Sequence, residues 1–152
     1  MAEYLAVAEQ SVALNQPAIF SNSIPCRRGL IIHDDETGNF ILRGIVNNPC
    51  DCKARYEITF NGNIAIPEGG TAGPIAVAIA VDGETRPSSL AISTPAAIEQ
   101  YNNVTSTATV DVPRGCCFNV SLRHVPATAD PTVTPAPVIN IQNGSFRITR
   151  TA

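Results

Sequence analysis

The most reactive side chains in this sequence are its five thiols, at Cys26, Cys50, Cys52, Cys116 and Cys117. Four of them fall in two close pairs, which points to disulfide or metal chemistry. Zinc fingers and ribbons separate their paired ligands by about two to four residues, and neither pair here has that spacing. Adjacent residues on a strand point to opposite faces, so Cys116 and Cys117 cannot easily serve one site. We therefore expect no metal. Cys116 reads as a small core residue. The loop cysteines are free or form one bridge, with Cys26 to Cys50 or Cys52 as the first pairing to test. An odd count leaves at least one thiol without a partner in the chain.

His33 and His124 could in principle activate a cysteine nucleophile. No motif surrounds either residue and no third group is placed, so both are expected at the surface or at strand ends. Asp34, Asp35 and Glu36 form an acidic cluster with the oxygen chemistry that suits Ca²⁺; a solvated turn is the favoured reading. Gly69-Gly70 and Gly73 lack the Lys-Ser/Thr and the following helix of a phosphate loop. With no enzyme motif left, the sequence is expected to encode a binding or structural protein, not an enzyme, and to need no cofactor.

The elements that hold these residues are strands. Tyr56, Ile58 and Phe60 alternate with Glu57 and Thr59, giving one buried and one wet face. Ile64 and Ile66 keep the spacing of two until Pro67-Glu68-Gly69-Gly70 breaks it. Ile75, Val77, Ile79 and Val81 resume it with Ala76, Ala78 and Ala80 between them. That second strand has no polar face and must be covered on both sides. The alanine face admits two readings, a packed sheet interior or the close approach of another subunit. Asp82-Gly83 supplies the positive φ of a two-residue hairpin turn.

Twelve prolines and ten glycines punctuate the whole length. Residues 1–14 read as extended, with helix as the competing reading. Further strands are expected at 30–33, at 40–46 with a bulge near Gly44, around Leu90 and Ile92, at 104–112, at 116–125 and at 138–149. Residues 126–137 carry four prolines and read as a stiff, exposed loop. About ten short strands with turns at regular intervals argue an all-β sandwich or barrel.

At 152 residues the chain suits one domain. A formal charge of −3 makes nucleic acid an unexpected partner. No apolar run approaches the ~20 residues that span a bilayer, so no membrane association is expected. Residues 1–12 have no basic region and carry Glu3 and Glu9, unlike a signal peptide. Synthesis in a host cytoplasm is the expectation.

Three phrases carry a family likeness: RYEITFNGNIAIPEGGTAGPIAVAIAVDGE, STPAAIEQYNNVTSTATVDVPRGCCFNVSL and the final NIQNGSFRITRTA. Their order resembles the jelly roll of the tumour necrosis factor and complement globular-head superfamily, and above all small phage and prophage structural proteins of gut Firmicutes. The resemblance covers the chain from about Asn39 to the end. It implies a ten-stranded, TNF-like jelly-roll sandwich that forms a three-fold homotrimer. It places Tyr56, Ile58 and Phe60 in the core or near the trimer axis, and Ala76, Ala78 and Ala80 join them as candidate interface residues. Calcium, which parts of the superfamily bind, is the ion it suggests for the acidic cluster.

The function it implies is that of a virion structural protein of a tailed phage. Such a trimer would sit on the capsid surface as a decoration or head-fibre protein, binding the major capsid protein and stabilising the shell. Residues 1–16, an N-terminal arm or first strand ahead of the single domain 17–152, are the candidate anchor. The alternatives are a receptor- or glycan-binding head of a tail fibre, using loops such as 126–137, and a bacterial surface or spore-coat domain.

Overall fold

Period-two alternation builds two six-stranded sheets packed face to face. The computed structural model describes residues 2–24, 30–33, 37–130 and 132–151. The first sheet contains β1 (Ala2–Ala6), β2 (Gln10–Ala13), β3 (Asn22–Ile24), β6 (Lys53–Ala65), β10 (Asn102–Pro113) and β12 (Val138–Arg150). Its order is β10-β6-β12-β1-β3, and β2 also pairs with β12. The second sheet contains β4 (Ile31–His33), β5 (Phe40–Arg43), β7 (Ile75–Val81), β8 (Glu84–Thr85), β9 (Ala91–Ser93) and β11 (Cys117–Val125). Its order is β4-β5-β11-β7-β8, with β9 also on β7. Among the described residues there are thus twelve strands, not ten. Four are pieces of two or three residues (β3, β4, β8 and β9) that pair at the sheet margins.

The glycine-rich crossing after β6 carries the chain from the first sheet to β7 in the second. Asp82 and Gly83 take positive φ, 52° and 83°, and close the β7–β8 hairpin as their types require. Within residues 1–16, read from the sequence as an N-terminal arm or first strand, β1 and β2 lie in the first sheet, where β1 is paired on both sides by β12 and β3 and β2 pairs with β12. Ala2, Tyr4, Ala6 and Val12 are buried in the main core.

The core is richest where aromatic rings from both sheets meet. Phe40 on β5 lies 4.8 Å from Phe146 on β12, 4.5 Å from Tyr4 on β1 and 4.2 Å from the His33 ring. Phe20 stacks on Phe146 at 5.3 Å. On β7 every residue is buried. Ile75, Val77 and Ile79 join the main core, while Ala76 and Ala78 form a second small cluster with Val125 and the partly buried Ala127.

Two expectations are corrected. Strand β5 ends at Arg43 without a bulge, because Gly44 turns away to bond the 113–116 turn. Cys116 is exposed, since it ends that turn and β11 begins one residue later. The strand expected around Ile92 is present as β9, where Ala91 and Ser93 face inward and Ile92 is 53% exposed, because Ile92 pairs with Ala76 and shares its outward face. His124 stands at the end of β11, one of the two expected placements, and is buried there: it is 1% exposed, with Nδ1 3.1 Å from the carbonyl oxygen of Val12.

Burial pushes the His124 imidazole below its ordinary range, and the Val12 hydrogen bond only partly opposes this. The unfolded chain therefore takes up a proton before the folded one does. Stability is full above about pH 6.5 and falls as the pH drops below it, by at most about 1.4 kcal/mol per pH unit from this group. Thermal melts between pH 7.5 and 5 should show this decline, and His124→Asn should flatten it. An equal slope in the variant would assign the decline to another group.

Candidate functional site

The outward face of the first sheet carries a field of short, uncharged side chains on β6 and β10. The register between β6 and β10 sets Thr107 beside Thr59, Thr105 beside Asn61, and Asn103 beside Asn63. Strand β12 extends these rows with Arg147, Ser145 and Gln142. Thr59 and Asn63 are half-buried; Asn61, Asn103, Thr105, Thr107 and Thr109 are exposed. Asn103 Nδ2 donates to Asn63 Oδ1 at 3.3 Å. Beside this field, Glu57, Thr59, Ser88, Thr107 and Thr109 line a hollow of about 560 Å³.

Ionised groups stand at the margins. Arg147 reaches Glu3 at 3.5 Å, and Ser145 Oγ donates to the same carboxylate at 2.9 Å. At the far end Asp111 accepts from Arg55 Nε and Lys53 Nζ, each at 2.7 Å. The Arg55 guanidinium, with Lys53 behind it, holds the Asp111 carboxyl well below the usual carboxylate range. Tyr101 is pushed up to about 12 by burial and by its hydrogen bond to Glu9, so it stays a neutral donor tying the 94–101 loop to the start of β2.

A second concavity, about 580 Å³, separates the crossing after β6 from the proline-rich segment before β12. Pro67, Pro74, Val133, Pro135 and Pro137 supply apolar walls, and Glu68, Thr71 and Thr134 supply polar groups.

The six candidate interface residues lie elsewhere. Tyr56, Ile58, Phe60, Ala76, Ala78 and Ala80 are 0–1% exposed within one chain, so a contact between chains would be made by the residues that cover them. Tyr56 keeps its hydroxyl satisfied inside, donating to Arg43 O at 2.6 Å. Cys50 and Cys52 are exposed and free, while Cys26 and the Asp34-Asp35-Glu36 cluster lie outside the described residues. His33 has its ring nitrogens toward Phe20 O (2.6 Å) and Asn39 O (3.3 Å), and it stacks on Phe40 within the aromatic core. Among the described residues no three His, Cys, Asp or Glu side chains stand together as a metal cage would need. No described helix is long and apolar enough to cross a membrane.

The Asn/Thr field was missed in the sequence, although Thr105, Thr107 and Thr109 alternate there. Its width depends on the β6–β10 register, which no single strand reveals. The second concavity joins two loops that are far apart in the chain.

Comparison with family models and with curated proteins finds no match. Solved structures are similar in shape. The globular domain of zebrafish complement 1qA protein has a TM-score of 0.57 at 11% identity, over 96% of this chain and 94% of that one. Eiger TNF from S. frugiperda has a TM-score of 0.62 at 10% identity, over 100% and 92%. The all-β, two-sheet architecture is thus the fold of TNF and complement globular heads.

Proposed function

We propose that this domain is a non-catalytic binding head that works as a homotrimer, its copies joined through the outward face of the first sheet. The observation that carries this reading is the Asn/Thr field on β6 and β10. A strand face meant only for water commonly carries Lys and Glu, and protein interfaces are depleted of charge at their centres. Here the centre is uncharged and its side chains are short, so another backbone can come close. Strand β10 also bears no Lys and no Pro before Pro113, the devices that guard an edge strand against pairing.

Sedimentation equilibrium under reducing conditions should give the mass of three chains. The double variant Asn61→Lys/Thr107→Lys should give one chain with its β-sheet circular dichroism unchanged. A wild-type protein of one chain would end the proposal.

The resemblance in sequence supports a mounting for such a trimer, the outer capsid surface of a tailed phage in contact with the major capsid protein. The apolar-walled concavity near Glu68 favours a second reading, a receptor- or glycan-binding head. Copy number separates them: a count matching the shell lattice means decoration, and a count matching a tail tip means a receptor-binding head.

A further inference from the structure

Two cysteine-bearing segments meet at one end of the sandwich. Residues 44–52 connect β5 to β6, and residues 114–116 connect β10 to β11. Gly44 N–H donates to Cys116 O at 2.8 Å, and Gly115 N–H donates to Gly44 O at 3.0 Å. Arg114 donates twice, from its backbone N–H to Cys52 O at 2.9 Å and from Nη1 to Pro49 O at 3.0 Å. These four bonds hold the segment carrying Cys50 and Cys52 against the one carrying Cys116 and Cys117. All four thiols are exposed and free. Arg43 stands opposite Cys117 in the β5–β11 register, and Asp51 lies between Cys50 and Cys52. Glutathione disulfide, a small soluble oxidant, can reach exposed thiols.

We propose that this pole is a redox clasp, in which a disulfide within one chain joins Cys50 or Cys52 to Cys116 or Cys117. A protein thiolate attacks one sulfur of glutathione disulfide and expels one glutathione thiolate, which takes a proton from water. The second protein thiol loses its proton and attacks the protein sulfur of the mixed disulfide, expelling the second glutathione. Two electrons pass from the protein to the oxidant, and two glutathione thiols leave. Cys52 leads into β6 of the first sheet and Cys117 opens β11 of the second. The bond therefore ties the two sheets at this end and shortens the excursions of the unfolded chain.

The sequence makes the test direct. Trypsin cuts after Arg43, Lys53, Arg114 and Arg123, leaving Cys50 and Cys52 in one peptide and Cys116 and Cys117 in another. The full reduced chain is incubated with glutathione disulfide near neutral pH, then alkylated, digested and weighed. The expected product is these two peptides joined, each with its remaining thiol alkylated, two hydrogens lighter than the sum of the two singly alkylated peptides. The oxidised protein should melt several degrees higher than the reduced one, and a reductant should reverse the gain. Cys50→Ser/Cys52→Ser should show neither the joined peptides nor the gain. Mixed glutathione adducts alone, a bridge inside either peptide, a bridge to Cys26, or a bond between two chains would each overturn the proposal.

Discussion

Phe40→Ala is expected to cost about 4 kcal/mol, the middle of the range for emptying a buried aromatic site. For a domain of this length that is a fall in melting temperature of roughly 8–16 °C. Phe40 is fully buried and its ring meets those of Tyr4, Phe20, His33 and Phe146. The neighbours come from both sheets, so removing the ring opens a cavity at the seam, which neither sheet can close alone. Phe118, half-buried on β11, is the control. Phe118→Ala should cost less than half as much, because solvent already reaches its ring. Melts at one fixed chain concentration keep any association constant. Equal losses at the two positions would mean that the aromatic cluster has no special part in holding the sheets together.

This cluster shows how far the sequence could be read. Tyr56, Ile58 and Phe60 announced β6 because period two on a half-buried strand is unambiguous. Asp82-Gly83 announced a hairpin because positive φ restricts the residue types. Those are local signals. The meeting of Phe20, Phe40 and Phe146 is not local, because they lie on three segments far apart in the chain and nothing within any one segment says which others it meets. The alanine row was visible as an apolar face, but its cover was not. Val125 and Ala127, from the end of β11 and the loop after it, pack on Ala76 and Ala78. The Asn/Thr field was hidden for a related reason: its seven uncharged residues lie on two strands about forty positions apart in the chain, and only the pairing from Asn102↔Ile64 to Pro113↔Lys53 aligns them. The cysteines show the opposite error. Alternation from Phe118 back to Cys116 was extended one residue too far, into a turn whose geometry is set by Gly44.

Gly44 is a position at which a single added methyl group should be strongly destabilising. A Cβ there would stand 2.1 Å from Pro113 O and 3.1 Å from Cys116 O. Both are backbone atoms, so no rotamer change can yield. Gly44→Ala must push the 44–52 segment off the 113–116 turn. The hydrogen bonds from Gly44 N–H to Cys116 O and from Gly115 N–H to Gly44 O then lengthen or break. Overpacking of this kind costs about 1–3 kcal/mol, and each lost hydrogen bond adds about 1 kcal/mol, so a loss of about 3 kcal/mol is expected. Gly73 is the control, since a Cβ there meets nothing within 4 Å and its φ lies outside the positive range. Gly73→Ala should be neutral or slightly stabilising by lowering the entropy of the unfolded chain. The same substitution at Gly44 also separates the two cysteine pairs. Glutathione disulfide should therefore join the 44–53 and 115–123 tryptic peptides more slowly in Gly44→Ala than in the wild type, whereas Gly73→Ala should leave that rate unchanged. If Gly44→Ala were as stable as the wild type and cross-linked as fast, the close contact between segment and turn would not exist in solution.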